Sequence, residues 1–305
     1  VNAEPLPVSR ETSGPFAGVC TVTLEQPGKP VVVLDLALIQ RLEAALKSVP
    51  ADATGVVVAS ASERVFVAGA DLKSIQDLDD DQLGRYLAYG SKVFGMLARF
   101  ACPTAAAING AALGGGLELA MHCDGLIGTV PADRDGQPGR PFAVGLPEAG
   151  LGICPGWGGT NLLPARIDVG DAIARTASGE TLTSDRAAAM GMFDAVAPSP
   201  GALLETAKRW VVEQGGVRRD RDGAPLRWVG RPKVAASAVR VVDALRPGME
   251  GNEAGLAVLN AVDAGLGRGW EGALEVERRE LIRLRHTPRA KEAIAAFFAK
   301  GKKGA

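Results

Sequence analysis

The sequence predicts an α/β fold in which strands feed helices through glycine turns. Three observations carry that class. Gly55–Ser60 (GVVVAS) is a short, apolar, β-branched run of the kind that makes a buried strand. Before it, Leu38, Leu42, Ala45, Leu46 and Val49 recur at helical spacing within LALIQRLEAALKSV. After it, AAAIN (Ala105–Asn109) and GLIGTV (Gly125–Val130) flank a helix that begins near a glycine triplet.

The remaining elements follow in chain order. VVVLDL, ahead of the first helix, reads as a strand edge. VFVAGADLKSI is an apolar run that ends in a small-residue turn, Ala68-Gly69-Ala70-Asp71. Asp79, Asp80 and Asp81 open the next helix, where acids suit the dipole, and Leu83, Leu87, Phe94 and Leu97 mark its inner face. The chain changes character after about Gly201. A basic loop, GVRRDRDGAPLRWVGRPK, carries six cationic and two anionic side chains, and charged helices follow through EGALEVERRELIRLRH and PRAKEAIAAFFAKGKK. Residues 16–200 are therefore expected to form the α/β core of the chain. Residues 201–305 are expected to form a smaller helical region, packed on that core or on a neighbouring subunit.

Composition excludes several classes. A formal net charge of -1 argues against general nucleic-acid binding, although the 218–233 loop is locally basic. Cys20, Cys102, Cys123 and Cys154 show no metal-like spacing, so reduced thiols and a cytoplasmic location are expected, with no metal. The polar, proline-containing N-terminus has no signal-peptide pattern. Phe100–Cys123 is long enough to span a bilayer, but Pro103, Asn109, three glycines and Glu118 make it a poor lipid-facing helix.

Two carboxylates stand out by isolation. Glu118 is the only charged residue from Phe100 to Cys123, and Glu148 the only one between Arg140 and Arg166. A Glu in apolar surroundings is rarely buried unless it is paired or has work to do. Each lies beside a glycine-rich turn, in GGGLE and GLPEAGLGICPGWGGT. Glycines at a strand-to-helix turn expose backbone N–H donors to an oxyanion. Desolvated carboxyls suit proton transfer near neutral pH. Read alone, Glu118 has the alternative of a helix N-terminal residue, and Glu148 that of a solvated loop residue.

Three segments in order, VFVAGADLKSI, INGAALGGGLELAMHCD and LPEAGLGICPGWGGT, closely resemble the crotonase superfamily, and specifically its enoyl-CoA hydratases. The resemblance runs from roughly Val19 to Pro198. It implies a spiral core of repeated ββα units and a helical C-terminal region. It also implies backbone N–H groups of Ala70 and Gly115 as an oxyanion hole for an acyl-CoA thioester. Glu118 would hold and activate a water for attack at C3, and Glu148 would deliver a proton to C2. Ala68, Asp71, Leu72, Lys73 and Gly114 would line the CoA side of the site. Phe297 and Lys300 would reach the adenine end, often across subunits. No separate cofactor is implied, since coenzyme A is part of the substrate, and relatives form trimers or dimers of trimers. The last helices resemble the tail of the hydratase region in multifunctional β-oxidation proteins, without the GxGxxG fingerprint of a following dehydrogenase, so a stand-alone hydratase or isomerase is expected.

The sequence also departs from the family. PADRDGQPGRP (131–141) is a polar insertion expected as a surface loop. Trp157 occupies a turn position that is often smaller, where it would either shorten the acyl pocket or pack as a plain core aromatic. Asn161 and Leu162 replace a common Gln-Arg pair. His122 and His286 are read as structural, and Asp71 and Asp124 as turn or cap residues. Alternatives to hydration are movement of a 3-enoyl double bond, another acyl-CoA enolate reaction, or RNA binding through the basic loop.

Overall fold

The computed structural model describes residues 3–301 apart from 30, 132, 134–136, 138, 218 and 221, with only the backbone at 300 and 301. The chain packs as two units. One holds Val1–Ala70, Lys92–Val144 and Leu182–Arg227; the other holds Asp71–Ser91, Gly145–Thr181 and Trp228–Ala305.

The first unit carries the sheets. The strands described are β1 (Val8–Arg10), β2 (Val19–Leu24), β3 (Gly55–Ser60), β4 (Val65–Val67), β5 (Thr104–Ala107), β6 (Ala111–Leu113), β7 (Gly125–Thr129), β8 (Ala143–Gly145), β9 (Leu182–Thr183) and β10 (Ala195–Ala197). One sheet has the order β1-β2-β3-β5-β7-β10 and the other β4-β6-β8-β9. In the first sheet β1 pairs antiparallel with β2, and the β2-β3, β3-β5, β5-β7 and β7-β10 pairs are parallel. Successive strand pairs β3-β4, β5-β6 and β7-β8 each send their first member to the larger sheet and their second to the smaller. Helices follow each pair in the chain, which is the expected repeated ββα pattern.

The parallel sheet explains the apolar runs. Val56, Val57 and Val58 are all fully buried, so consecutive residues on both faces are covered. One face, through Val57, Ala105, Ala107 and Ile127, packs against Ala207 and Val211 of the Leu203–Gln214 helix. Each fully buried valine or leucine contributes roughly 1.5–3 kcal/mol over its exposed state. The Leu36–Ser48 helix is capped by Asp35, whose carboxylate accepts from Leu38 N at 2.8 Å, and buries Leu38, Ile39, Leu42, Ala45 and Leu46. VVVLDL makes no full strand. It is an extended strap with one bridge, Leu34 to Ala70, because its hydrogen bonds go to the turn at 68–70 rather than to a sheet.

The second unit is mostly helical. It includes Leu72–Asp77, the Asp80–Phe94 helix as far as Ser91, Val169–Ser178, Pro232–Leu245, Glu253–Leu284 and Pro288–Gly301. The helices after Gly201 thus divide between the units: Leu203–Gln214 belongs to the first and those from Pro232 onward to the second. The Glu253–Leu284 span is broken at Gly269, whose φ of 78° and ψ of -175° end one helix and start another at Trp270. Phe100–Cys123 folds into β5, β6 and the short Gly115–Met121 helix, and no described helix is long and apolar enough to cross a membrane.

Candidate active site

In the first unit, parallel pairing of β4 with β6 sets two turns side by side. β4 runs into Ala68, Gly69 and Ala70, and β6 runs into Gly114 and Gly115. Their approach is very close. A Cβ on Gly116 would lie 2.5 Å from Val67 O, and one on Gly69, at φ +121°, would lie 3.2 Å from Leu113 O. Gly114 caps the next helix at φ 51°, and that helix begins at Gly115, so the first N–H groups have no carbonyl partner within it. Glu118 lies in that first turn with its N–H donating to Gly114 O at 3.0 Å, and its side chain is 1% exposed. Ala68, Ala70, Gly114, Gly115 and Glu118 are therefore gathered in one unit.

His122 ends the same helix. Its Nδ1 lies 2.9 Å from Glu118 O, and its ring packs edge-on to Phe94. Burial lowers its pKa from 6.5 to about 4, so it is neutral at ordinary pH. The four cysteines are free thiols, as expected. Alongside the first turn, Ala68 N donates to Val32 O at 2.8 Å. That strap, with Gln26, Lys29, Ser62, Arg64 and Val65, lines a cavity of about 720 Å³.

The second unit holds the other predicted residues. Asp71 caps the Leu72–Asp77 helix, accepting from Lys73 N at 3.2 Å and Ser74 Oγ at 2.6 Å, which is the cap role read from the sequence. Leu72 is half-buried and the Lys73 side chain is exposed. Glu148 is half-buried and starts a short 3-10 turn, Glu148–Leu151, that ends on left-handed Gly152. Trp157 is 1% exposed. Its Nε1 donates to Leu87 O at 3.0 Å and its ring packs edge-on to Tyr86, so it is a packed aromatic. Phe297 is 53% exposed beside Phe298 on the last helix, and the side chain of Lys300, like Lys302 and Lys303, lies outside the described residues.

Several residues matter more than the sequence indicated. Glu277 is fully buried, accepting from Gly158 N (2.5 Å), Thr160 N (3.0 Å) and Thr160 Oγ1 (2.5 Å). Asn161, also fully buried, donates to Ala261 O at 3.0 Å. Arg285 donates to Ile75 O at 2.7 Å and Leu78 O at 2.6 Å, and pairs with Asp80. His286 also bonds Asp80 at 2.8 Å, and first His286, then Arg285, hold the Asp80 carboxyl below its usual range. In the first unit Asp124 is more than a cap. It accepts from Thr104 N at 2.8 Å and forms a two-pronged ion pair with Arg219 of the basic loop. Arg227 of that loop pairs with Asp194, so two of its cations are engaged internally. Arg218 and Arg221 lie outside the described residues.

A profile of the enoyl-CoA hydratase/isomerase family matches residues 15–214. The chain belongs to that family. Curated relatives include the fatty acid oxidation complex subunit alpha of Shewanella amazonensis, 31% identical over an alignment of 294 residues that covers 92% of this chain and 40% of that one. The same subunit of Vibrio cholerae is 30% identical over an alignment of 289 residues that covers 91% of this chain and 39% of that one. The chain thus spans about two fifths of the length of these relatives. Among solved structures, an enoyl-CoA hydratase from Bacillus anthracis is 27% identical, with 96% of both chains covered and a TM-score of 0.57. The human mitochondrial delta3-delta2-enoyl-CoA isomerase is 18% identical, with 99% of both chains covered and a TM-score of 0.69, and shows the fold alone. The expected crotonase fold is the one observed.

Proposed function

We propose that this family member is an enoyl-CoA hydratase, adding water across the 2,3 double bond of a 2-enoyl-CoA. The observation that carries the reading is the retention of two isolated carboxylates, Glu118 and Glu148, each on a glycine-rich segment. The side-by-side turns at Ala70 and Gly115 support it. In this reading the N–H groups of those two residues bind the thioester oxygen and stabilise it as an enolate. Losing one such donor costs roughly 3–4 kcal/mol of barrier. Glu118 takes a proton from water as its oxygen bonds to C3, and Glu148 gives a proton to C2, leaving a 3-hydroxyacyl-CoA. A double-bond shift needs one acid–base group at C2 and C4, whereas hydration uses both carboxylates.

Ala68, Asp71, Leu72, Lys73 and Gly114 flank the thioester and the CoA chain in this assignment, with Phe297 and Lys300 towards the adenine. Residues 16–200 act as the catalytic core and 201–305 as the region of assembly, in a cytoplasmic homotrimer or dimer of trimers.

The test is to offer the purified chain 2-enoyl-CoA and 3-enoyl-CoA thioesters of increasing length and identify products by mass. Hydrated product from the 2-enoyl series supports the proposal. Conversion of the 3-enoyl series to 2-enoyl product, with no gain of water, sinks it in favour of isomerisation.

A further inference from the structure

The helix that starts after Gly269 presents one stripe to the rest of its unit. Trp270, Glu277, Leu281 and Arg285 recur at seven, four and four residues, which places them along one side. Each contacts a different point of the segments flanking the proposed site. Trp270 sits under Gly158, where a Cβ would lie 2.4 Å from its Cη2. Glu277 receives the N–H groups of Gly158 and Thr160 and the Thr160 hydroxyl. Leu281 packs on Gly156, with 3.1 Å from a Cβ there to Cδ1. Arg285 collects Ile75 O and Leu78 O, the carbonyls that end the Lys73-bearing helix.

We infer that Glu277 is a positioning residue: it fixes the Gly152–Thr160 turn that follows Glu148 and so steadies the backbone from which Glu148 extends. This rests on the hydratase reading for its catalytic part only. The chemistry of the clamp requires a carboxylate. Both Glu277 oxygens accept, and three donors converge on them in a fully buried place. An amide there would turn one acceptor into a donor facing a backbone N–H. Gly158, at φ +101°, is a glycine free to take other backbone conformations, so the path of the turn depends on its anchor. Arg285 does the same for the other end of the stripe, and its loss would release the 72–80 segment instead.

The experiment compares the wild-type chain with Glu277→Gln and Arg285→Gln by hydrogen–deuterium exchange, then by hydration kinetics. Glu277→Gln should speed exchange in peptides covering 148–162 and leave 72–80 near wild type; Arg285→Gln should reverse that pattern. In kinetics, Glu277→Gln should lower kcat roughly 10- to 100-fold with KM within about threefold, as expected for a group displaced by an ångström or less. Unchanged exchange over 148–162, or faster exchange with wild-type kcat, overturns the inference. Should Glu277→Gln not fold, Thr160→Val removes the hydroxyl that donates to Glu277 and accepts from Asn161 Nδ2, and Thr160→Ser, which keeps both bonds, should restore both readouts; equal behaviour of the two overturns the clamp. A wild type inactive on every 2-enoyl-CoA defeats the hydratase reading, and the exchange arm then decides the clamp by itself.

Discussion

The Nδ1 atom of His122 lies 2.9 Å from the main-chain oxygen of Glu118, closing the last turn of the helix that carries this buried acid. The ring is fully enclosed, and burial is the larger cause of its pKa of about 4. The folded protein therefore binds fewer protons at this site than the unfolded chain between about pH 4 and pH 6.5. Stability is full above that window and falls as pH drops through it, by about 3 kcal/mol at its lower end. Urea unfolding from pH 7 to pH 4 checks this. His122→Asn, which cannot titrate, should flatten the slope; an identical slope would remove His122 as its cause.

Gly116 meets Val67 O so closely that any side chain displaces the helix or the strand. Gly116→Ala should destabilise the protein by about 2 kcal/mol, the usual scale of overpacking. Hydration should suffer more than stability, because the displaced N–H groups are those assigned to the thioester oxygen. Urea midpoints and initial rates on one preparation separate the two effects.

The Asp124–Arg219 pair is largely buried, with side chains 5% and 17% exposed. Removing one partner leaves the other charge enclosed, so Arg219→Ala should cost about 3 kcal/mol. Arg209→Ala removes an equally direct pair with Glu205 whose side chains are both 59% exposed, and should change stability by less than about 1 kcal/mol. Equal losses in a denaturant titration would contradict the role given to burial.

Much of the larger sheet was legible. Gly55–Ser60 reads as a strand because five consecutive apolar or small residues, three of them valines, precede Ser60, and it is β3 with the same bounds. The Leu36–Ser48 helix shows its buried stripe in the spacing of Leu38, Leu42 and Leu46. The smaller sheet was not legible. Strands such as Val65–Val67 and Ala111–Leu113 have three residues each, too few to display a period of two. Glu277 was hidden differently. It stands in VERRELIRLR, where charge density suggests a solvated helix, and its partners Gly158 and Thr160 are 119 and 117 residues away. Asp124 likewise reads as a cap until Arg219, 95 residues later, is seen against it. Isolation in apolar sequence revealed Glu118, whereas acids buried among other charges gave no such signal.

The most direct measurement is the loss of absorbance of crotonyl-CoA, wild type beside Glu118→Gln and Glu148→Gln, each confirmed folded. The account predicts rapid loss in the wild type and a fall of at least about a hundredfold in either variant, the scale of a lost general acid or base. A wild-type rate preserved in one variant would contradict the assignment of both carboxylates to the addition of water.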